Sequence, residues 1–344
     1  MLRSALVLSA GLAAALCFAC VAVMPPPPPT VLPTASHPRI AAACSFNASQ
    51  VVVKLTPGFD AAAYGNCKPQ GCLSSPPTPD NSQPALDPSI ANTIQQVFDN
   101  SSSKFQREMC KLDHIYVDTD PNTVNTTPWG MRELARNGLR HIGIPLKILQ
   151  TFSDYSSFET GIINTLLNTS WSNTVAAAPN TPEMMMAAIL AHEMGHIVWW
   201  VRPVPPGICG GDDFFVTWRS VIRSPAHGFH QFGVEQAGNK QTEGYKYSNI
   251  KNDVSQGDLS RFSEIYSDGN WPSLFGFVAP DEDFVETYKL VTLSTRPLSP
   301  LTNLWVTIPT SDPASVDMVS DVLNNTDTNL YLKAQWINDC VDAP

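Results

Sequence analysis

The chain has 344 residues, with 21 basic against 31 acidic residues and a net charge of −10. No run of Lys or Arg interrupts this acidic balance, so nucleic acids and anionic membrane surfaces are poor candidates as partners. The length is enough for one large domain, or for two lobes around a cleft, behind a short N-terminal segment.

The N-terminus has the composition of an export signal. Arg3 precedes an apolar stretch, and a run of prolines follows it. We predict a signal peptide at 1–22, a Pro-rich extended spacer at 23–40, and a secreted protein. One alternative is a retained membrane anchor, because about 20 apolar residues can span a bilayer. Another is a lipoprotein signal ending at Cys20, which would place the protein in the cell envelope or periplasm.

Six cysteines follow the signal and are spread over the chain: Cys44, Cys67, Cys72, Cys110, Cys209 and Cys340. An even number of scattered cysteines in an exported chain predicts three disulfides, with the pairing left open. Residues 41–90 are rich in Pro, Ser, Asn and Gly, and "SQVVVKL" is their one credible strand. We interpret 41–90 as a loop-rich segment pinned by disulfides.

From residue 91 the pattern becomes that of a globular domain, which we expect to extend to residue 344. A helix with a break is predicted at 90–109, and an alternating run predicts a strand at 113–120. A second short apolar run occupies 146–152. The segment at 125–145 mixes turn signals with a short helix.

The clearest helix in the sequence follows Thr181, which suits an N-cap, and begins at Pro182, which suits the first helical position. It is apolar almost all round, so we expect it to be buried, and Pro203 ends it. Near its end lies "AHEMGH", with His192 and His196 four residues apart.

The spacing of His192 and His196 places both imidazoles on one face of the helix. Both rings can then bind one tetrahedral Zn²⁺ at about 2.0–2.1 Å, with Glu193 beside them. This is the H-E-x-x-H arrangement typical of zinc peptidases. Burying these polar groups costs several kcal/mol unless they are paired or bound to metal. Gly195 would let another backbone approach the helix. We therefore predict a zinc site.

A catalytic zinc needs a third protein ligand and an open position for water. Trp199 and Arg202 stand where the metzincin pattern requires Gly and either His or Asp, so that pattern is excluded. About seventy residues of irregular composition follow, and we interpret 203–272 as a substrate-facing insertion.

Two later segments carry a Glu followed four residues on by a second acid. One is Glu264 with Asp268, and the other is Glu282 with Glu286. The second pair lies in a predicted helix at 279–294, which follows Pro280 and has Asp281 as its expected cap. A last helix is predicted in "DPASVDMVSDVLNN".

With "EDFVE" at 282–286, the chain resembles the gluzincins, the thermolysin-like and lethal-factor-like branch of the zincin metallopeptidases. Their glutamate helix carries Glu-x-x-x-Asp/Glu. The resemblance covers two short segments only. His196 and Glu282 are 86 positions apart, a wider separation than in the thermolysin pattern.

The resemblance implies that His192, His196 and Glu282 bind Zn²⁺ and that Glu193 is the general base for a zinc-activated water. Glu286 would be the outer acid that hydrogen-bonds a ligand histidine. The implied fold is α+β and zincin-like, with a mixed sheet beside the zinc helix and a mainly helical second lobe. The implied function is a secreted zinc metallopeptidase acting on peptide or protein substrates.

Two other functions are open. One is a zinc hydrolase of a non-peptide amide or of cell-wall material. The other is a non-catalytic secreted module that holds zinc, against which Glu193 argues because a structural zinc does not need it. A donor for the oxyanion is also left open. The candidates are His227, His230, Tyr245, Tyr247 and Tyr266.

Overall fold

The computed structural model describes residues 44–65, 76–133, 138–201, 247–277, 280–310 and 313–341. The chain divides into two units, Met1–Ala35 and Ser36–Pro344, and every element below belongs to the second. The predicted signal peptide, the spacer and most of the predicted insertion therefore lie outside the described residues.

The first sheet has four strands in the order β1-β2-β4-β3. Strands β1 (Val52–Lys54), β2 (His114–Asp118) and β4 (Leu139–Pro145) run parallel to one another. Strand β3 (Trp129–Glu133) pairs antiparallel with β4 and forms one edge of the sheet. The sheet is therefore mixed, as predicted.

One face of this sheet carries the apolar core. Ile115 and Ile142 are opposite each other on β2 and β4, and both are buried, as is Ile144. Gly130 of β3 pairs with Ile142, so it belongs to the same face. This face points toward the helices, because Ile115, Ile142 and Ile144 belong to the same buried core as apolar residues of the helices.

Six helices precede or flank these strands. Two of them, α3 (Pro88–Asp99) and α4 (Ser103–Met109), form the predicted helix with a break. Their N-caps are Asp87 and Ser102, whose side chains accept from the backbone N–H groups of Ser89 and Phe105. The helices are α1 (Ala48–Val51), α2 (Ala61–Gly65), α3 (Pro88–Asp99), α4 (Ser103–Met109), α5 (Leu146–Thr151) and α6 (Tyr155–Leu167).

The interpretation of 125–145 as turns with a short helix was wrong. The segment contains β3 and β4, whereas the apolar run at 146–152 forms α5. Gly130 and Gly143 interrupt the alternation of apolar and polar residues that marks a strand. Long-range pairing of β4 with β2 therefore decides the conformation more than the local pattern does.

Helix α7 (Pro182–Val201) begins as predicted, since the Thr181 hydroxyl accepts from the N–H of Met184 at 3.0 Å. Helix α7 is buried and packs on the sheet and against α10 (Pro280–Ser294). The two helices are antiparallel, because Glu183 at the start of α7 pairs with Arg296, just beyond the end of α10.

Gly195 lies where α7 faces the backbone of α10. A Cβ atom at this position would be 3.1 Å from the Cα of Val285. The expectation that the glycine admits another backbone is thus confirmed.

The described part of the predicted 203–272 insertion is more regular than expected, since 247–272 contains the helices α8 (Tyr247–Ser255) and α9 (Ser260–Ser267). Helix α10 begins at Pro280, so Asp281 lies inside its first turn and is not its cap. The segment 312–325 was predicted to be one helix, but it contains a short strand, Ser315–Asp317, followed by a π-helix, Met318–Leu323.

A second sheet, which the sequence did not predict, has three antiparallel strands in the order β5-β6-β7. They are β5 (Val175–Ala178), β6 (Asn303–Thr307) and β7 (Ser315–Asp317), and a π-helix at Met318–Leu323 follows β7. The last helix is α11 (Asn329–Cys340). The described architecture is thus mixed α/β, with one mixed and one antiparallel sheet.

Two long-range links tie the helices together. A disulfide joins Cys44 to Cys110, so one of the predicted disulfides is present. Lys333 of α11 forms an ion pair with Asp283 of α10 at 2.7 Å, with both side chains fully buried. The side chains of the other predicted disulfide cysteines lie outside the described part of the chain. Among the described residues, no helix is both long and apolar enough to span a membrane.

We predict that Gly195→Leu lowers the free energy of unfolding by on the order of 3 kcal/mol, because the new side chain would overlap backbone atoms of α10. Urea or thermal unfolding followed by circular dichroism measures the change. Gln96→Leu, at an exposed position of α3, is the matched control and should change stability by less than about 0.5 kcal/mol. Equal stability of the two variants would contradict the close approach.

Candidate metal centre

Helix α7 presents His192 and His196 on one face, one turn apart. Their ring centroids are 5.0 Å apart. Most of the neighbouring positions on α7 are buried and apolar, yet the two side chains retain 19% and 20% of their exposure. The pair is therefore held by a buried helix and remains accessible from one side.

Helix α10 brings the carboxylate of Glu282 to both histidines. Its Oε2 lies 3.8 Å from Nε2 of His192 and 3.7 Å from Nε2 of His196. Ligand atoms of a tetrahedral zinc bound at about 2.1 Å are about 3.4 Å apart, so a shift of a few tenths of an ångström would bring Glu282 to that spacing from each histidine. Two imidazole nitrogens and one carboxylate oxygen thus converge.

Glu286, one turn further along α10, lies behind His192. Its Oε1 is 2.6 Å from Nδ1 of His192, and its Oε2 accepts from the Ser273 hydroxyl and from Lys289. Burial raises the pKa of Glu286, but Lys289, His192 and Ser273 outweigh burial and hold it well below its ordinary value. An ionised carboxylate only accepts hydrogen bonds, so Nδ1 of His192 carries the proton.

This proton position leaves Nε2 of His192 facing Glu282. A neutral Nε2 would direct a lone pair at a carboxylate oxygen, an arrangement that a cation between them would stabilise. Burial lowers the pKa of His192, but the bond to Glu286 and the charges of Glu193, Glu286 and Glu282 raise it to about 9. The group of carboxylates therefore stabilises a positive charge here, whether a proton or a metal ion.

Glu193 lies beside the histidines on α7 and is almost fully buried. Burial raises its pKa to about 7, an effect that His192 opposes and that Glu282 and Glu286 reinforce. The backbone N–H of Gly130 in β3 donates to the Glu193 carboxylate and lowers the pKa. A carboxylate with a pKa near neutrality suits proton transfer at neutral pH.

Gly130 also explains how close β3 comes to α7. A Cβ atom at this position would lie 2.1 Å from the backbone oxygen of Glu193, so only glycine fits without displacing the backbone. The close approach places the sheet edge formed by β3 directly beside the Glu193 carboxylate. No strand within the described ranges pairs with the other side of β3.

The alternative acid pair, Glu264 with Asp268, lies on α9 and at its C-terminal end. Glu264, in α9, forms an ion pair with Arg261 at 2.6 Å, and Asp268 caps the end of α9 and accepts from the N–H of Asn270. The carboxylate that the structure brings within 3.8 Å of both histidines is Glu282. His192, Glu193 and His196 also offer ligand atoms that lie within 4.8 Å of one another.

Tyr266 is buried, lines a small cavity together with Ser273 and Glu286, and its hydroxyl accepts from the N–H of Leu274. His227, His230 and Tyr245 lie outside the described residues, as does the side chain of Tyr247.

Sequence reasoning missed three polar residues around Glu286: Ser273, Lys289 and Glu159. Lys289 had a detectable signal, because an acid and a base three residues apart share one face of a helix. Glu159 is on α6, more than a hundred residues away, and no local pattern connects it to α10.

The comparisons with known proteins give no further assignment. No protein-family model, no curated protein and no solved structure matches this chain.

Proposed function

We propose that this chain is a zinc metallopeptidase of the gluzincin type. The observation that carries the proposal is the convergence of three ligand atoms from two helices: Nε2 of His192, Nε2 of His196 and Oε2 of Glu282, with Glu282 within 3.8 Å of both histidines. Two imidazoles and one carboxylate form a donor set that suits catalytic zinc.

The partial exposure of the donors supports a catalytic rather than a structural site. His192, His196 and Glu282 keep 19%, 20% and 15% of their side-chain exposure, which leaves access for water or a substrate. A structural zinc has four protein ligands and no open position. When bound, Zn²⁺ supplies a Lewis acid that activates water and polarises a carbonyl group.

Glu193 is the proposed general base. Its carboxylate accepts a proton from the attacking water and returns it to the leaving amine. The Gly130 N–H orients the carboxylate, and burial raises the pKa of Glu193 in the metal-free protein. Glu286 keeps the proton of His192 on Nδ1, so that Nε2 has a free lone pair for the metal.

The position of β3 favours a peptide among the substrates considered. An edge strand offers backbone N–H and C=O groups, and an extended peptide can pair with such an edge. Gly130 puts this edge against Glu193, so a peptide paired there would pass the general base. A non-peptide amide or a cell-wall fragment would have less use for such an edge.

We also propose that the protein is exported and secreted. The disulfide between Cys44 and Cys110 supports an oxidising compartment, where such bonds persist. The alternative location is the cell envelope or the periplasm. An alternative function is a non-catalytic module that holds zinc. The presence of Glu193, a buried carboxylate beside the proposed ligands, argues against that module, since structural zinc needs no base.

We predict that Glu193→Gln keeps one equivalent of zinc and lowers kcat/KM for peptide hydrolysis by about 10²- to 10⁴-fold, because the general base is lost while the ligands remain. Elemental analysis measures the metal, and a quenched-fluorescence peptide library measures hydrolysis.

Three results would contradict the proposal in different ways. If the purified wild type contains no stoichiometric zinc, the proposed metal site is refuted. Zinc-loaded wild type that cleaves no peptide but releases products from an amide or cell-wall panel would select the second function. Full peptidase activity in Glu193→Gln would exclude Glu193 as the base.

A second prediction separates the two acid pairs. Glu282→Ala should weaken zinc binding by more than the roughly 10- to 100-fold typical of outer residues, because it removes a ligand. Glu264→Ala, the matched control on α9, should keep the affinity of the wild type. Competition with a chromophoric chelator measures both dissociation constants, and the reverse order would move the third ligand to Glu264.

A further inference from the structure

A row of charged groups continues from the proposed metal centre into the protein. Lys289 of α10 lies between two carboxylates, with its Nζ 2.9 Å from Glu286 and 2.7 Å from Glu159 of α6. All three side chains are at least 90% buried. The row joins α6 and α10 to His192 of α7 through Glu286.

Bringing a lysine and two glutamates into the interior is unfavourable unless every group is paired. Here each charged group has partners at hydrogen-bond distance, and the charges alternate in sign along the row. Replacing such a pair with apolar residues is often neutral or stabilising, so fold stability alone does not account for it.

The buried row formed by Glu286, Lys289 and Glu159 has no room for a substrate beside it. The adjoining cavity, lined by Glu159, Ser273, Glu286 and Lys289 among others, has a volume of about 20 Å³. That is room for about one water molecule. The contact that links Lys289 to the proposed metal centre is its ion pair with Glu286, which in turn contacts His192.

The two oxygens of Glu286 have different partners. Oε2 accepts from Lys289 and from the Ser273 hydroxyl, while Oε1 is left for His192. Two donors on one oxygen resist rotation of the carboxylate. Rotation would break both of these bonds and withdraw Oε1 from Nδ1 of His192.

We propose that Lys289 and Ser273 are positioning residues for the metal centre. They fix the Glu286 carboxylate so that Oε1 holds Nδ1–H of His192 and directs Nε2 toward Glu282, and Glu159 anchors Lys289. The inference rests on the proposed zinc site and adds to it two residues that touch neither the metal nor the substrate.

The test uses the full chain and two matched double variants, each of which changes one residue of α10 and its ion-pair partner on another helix. Glu159→Gln with Lys289→Met removes the row beyond Glu286 and leaves the net charge unchanged. Asp283→Asn with Lys333→Met is the control, since it removes another buried pair of α10 at the same 2.7 Å distance without contacting His192. Ser273→Ala is a third, milder variant that leaves every charge in place.

We expect the Glu159/Lys289 double variant to bind Zn²⁺ about 10- to 100-fold more weakly than the wild type, in a chelator competition. Ser273→Ala should show a smaller loss in the same direction. The Asp283/Lys333 control should keep the affinity within about threefold, whatever its thermal stability. The visible spectrum of the Co²⁺-substituted protein should change in the first two variants and not in the control.

Wild-type affinity and an unchanged Co²⁺ spectrum in both Ser273→Ala and the Glu159/Lys289 variant would overturn the positioning role, while leaving the zinc site intact. If the double variant does not fold, an unchanged Ser273→Ala overturns the proposal and a weakened one supports it. If the Asp283/Lys333 control loses as much zinc affinity, general destabilisation explains the loss, and the positioning role is overturned. Absence of zinc binding by the wild type would instead refute the proposed function.

Discussion

The close antiparallel packing of α7 on α10 is the contact on which the candidate site depends. Gly195 lets the backbone of α10 approach to within 3.1 Å of where a Cβ would stand. At this separation Glu282 and Glu286 reach the two histidines of α7. The pair of Glu183 and Arg296 holds the opposite ends of the helices together.

Charge balance is the second constraint. Four carboxylates, from Glu193, Glu282, Glu286 and Glu159, gather around two histidines and one lysine in a largely buried region. Lys289 neutralises the inner part of the group. At the outer part, around Glu282 and the two Nε2 atoms, a positive charge would be stabilised by the nearby carboxylates. These carboxylates raise the pKa of His192, and the same negative charge favours the proposed zinc ion.

Local patterns predicted the elements whose signals are strong and short-range. The Thr181 cap and the apolar run defined α7, and alternation defined β2. They failed at β3 and β4, where glycines interrupt the alternation, and at β7, a three-residue strand formed only by pairing with β6. Strand pairing brings together distant residues, so the sequence around each strand carries little of the information.

The sequence by itself determined the chemistry available on each helix. Helical spacing of four puts His192 and His196 on one face of α7, and Glu282 and Glu286 on one face of α10, wherever these helices lie. Only the tertiary structure decided that α10, rather than α9 with Glu264, meets the histidines, and that Ser273, Lys289 and Glu159 stand behind Glu286. The reason is physical: periodicity governs direction within one helix, whereas the choice of neighbour depends on how closely two backbones can pack, as they do at Gly195.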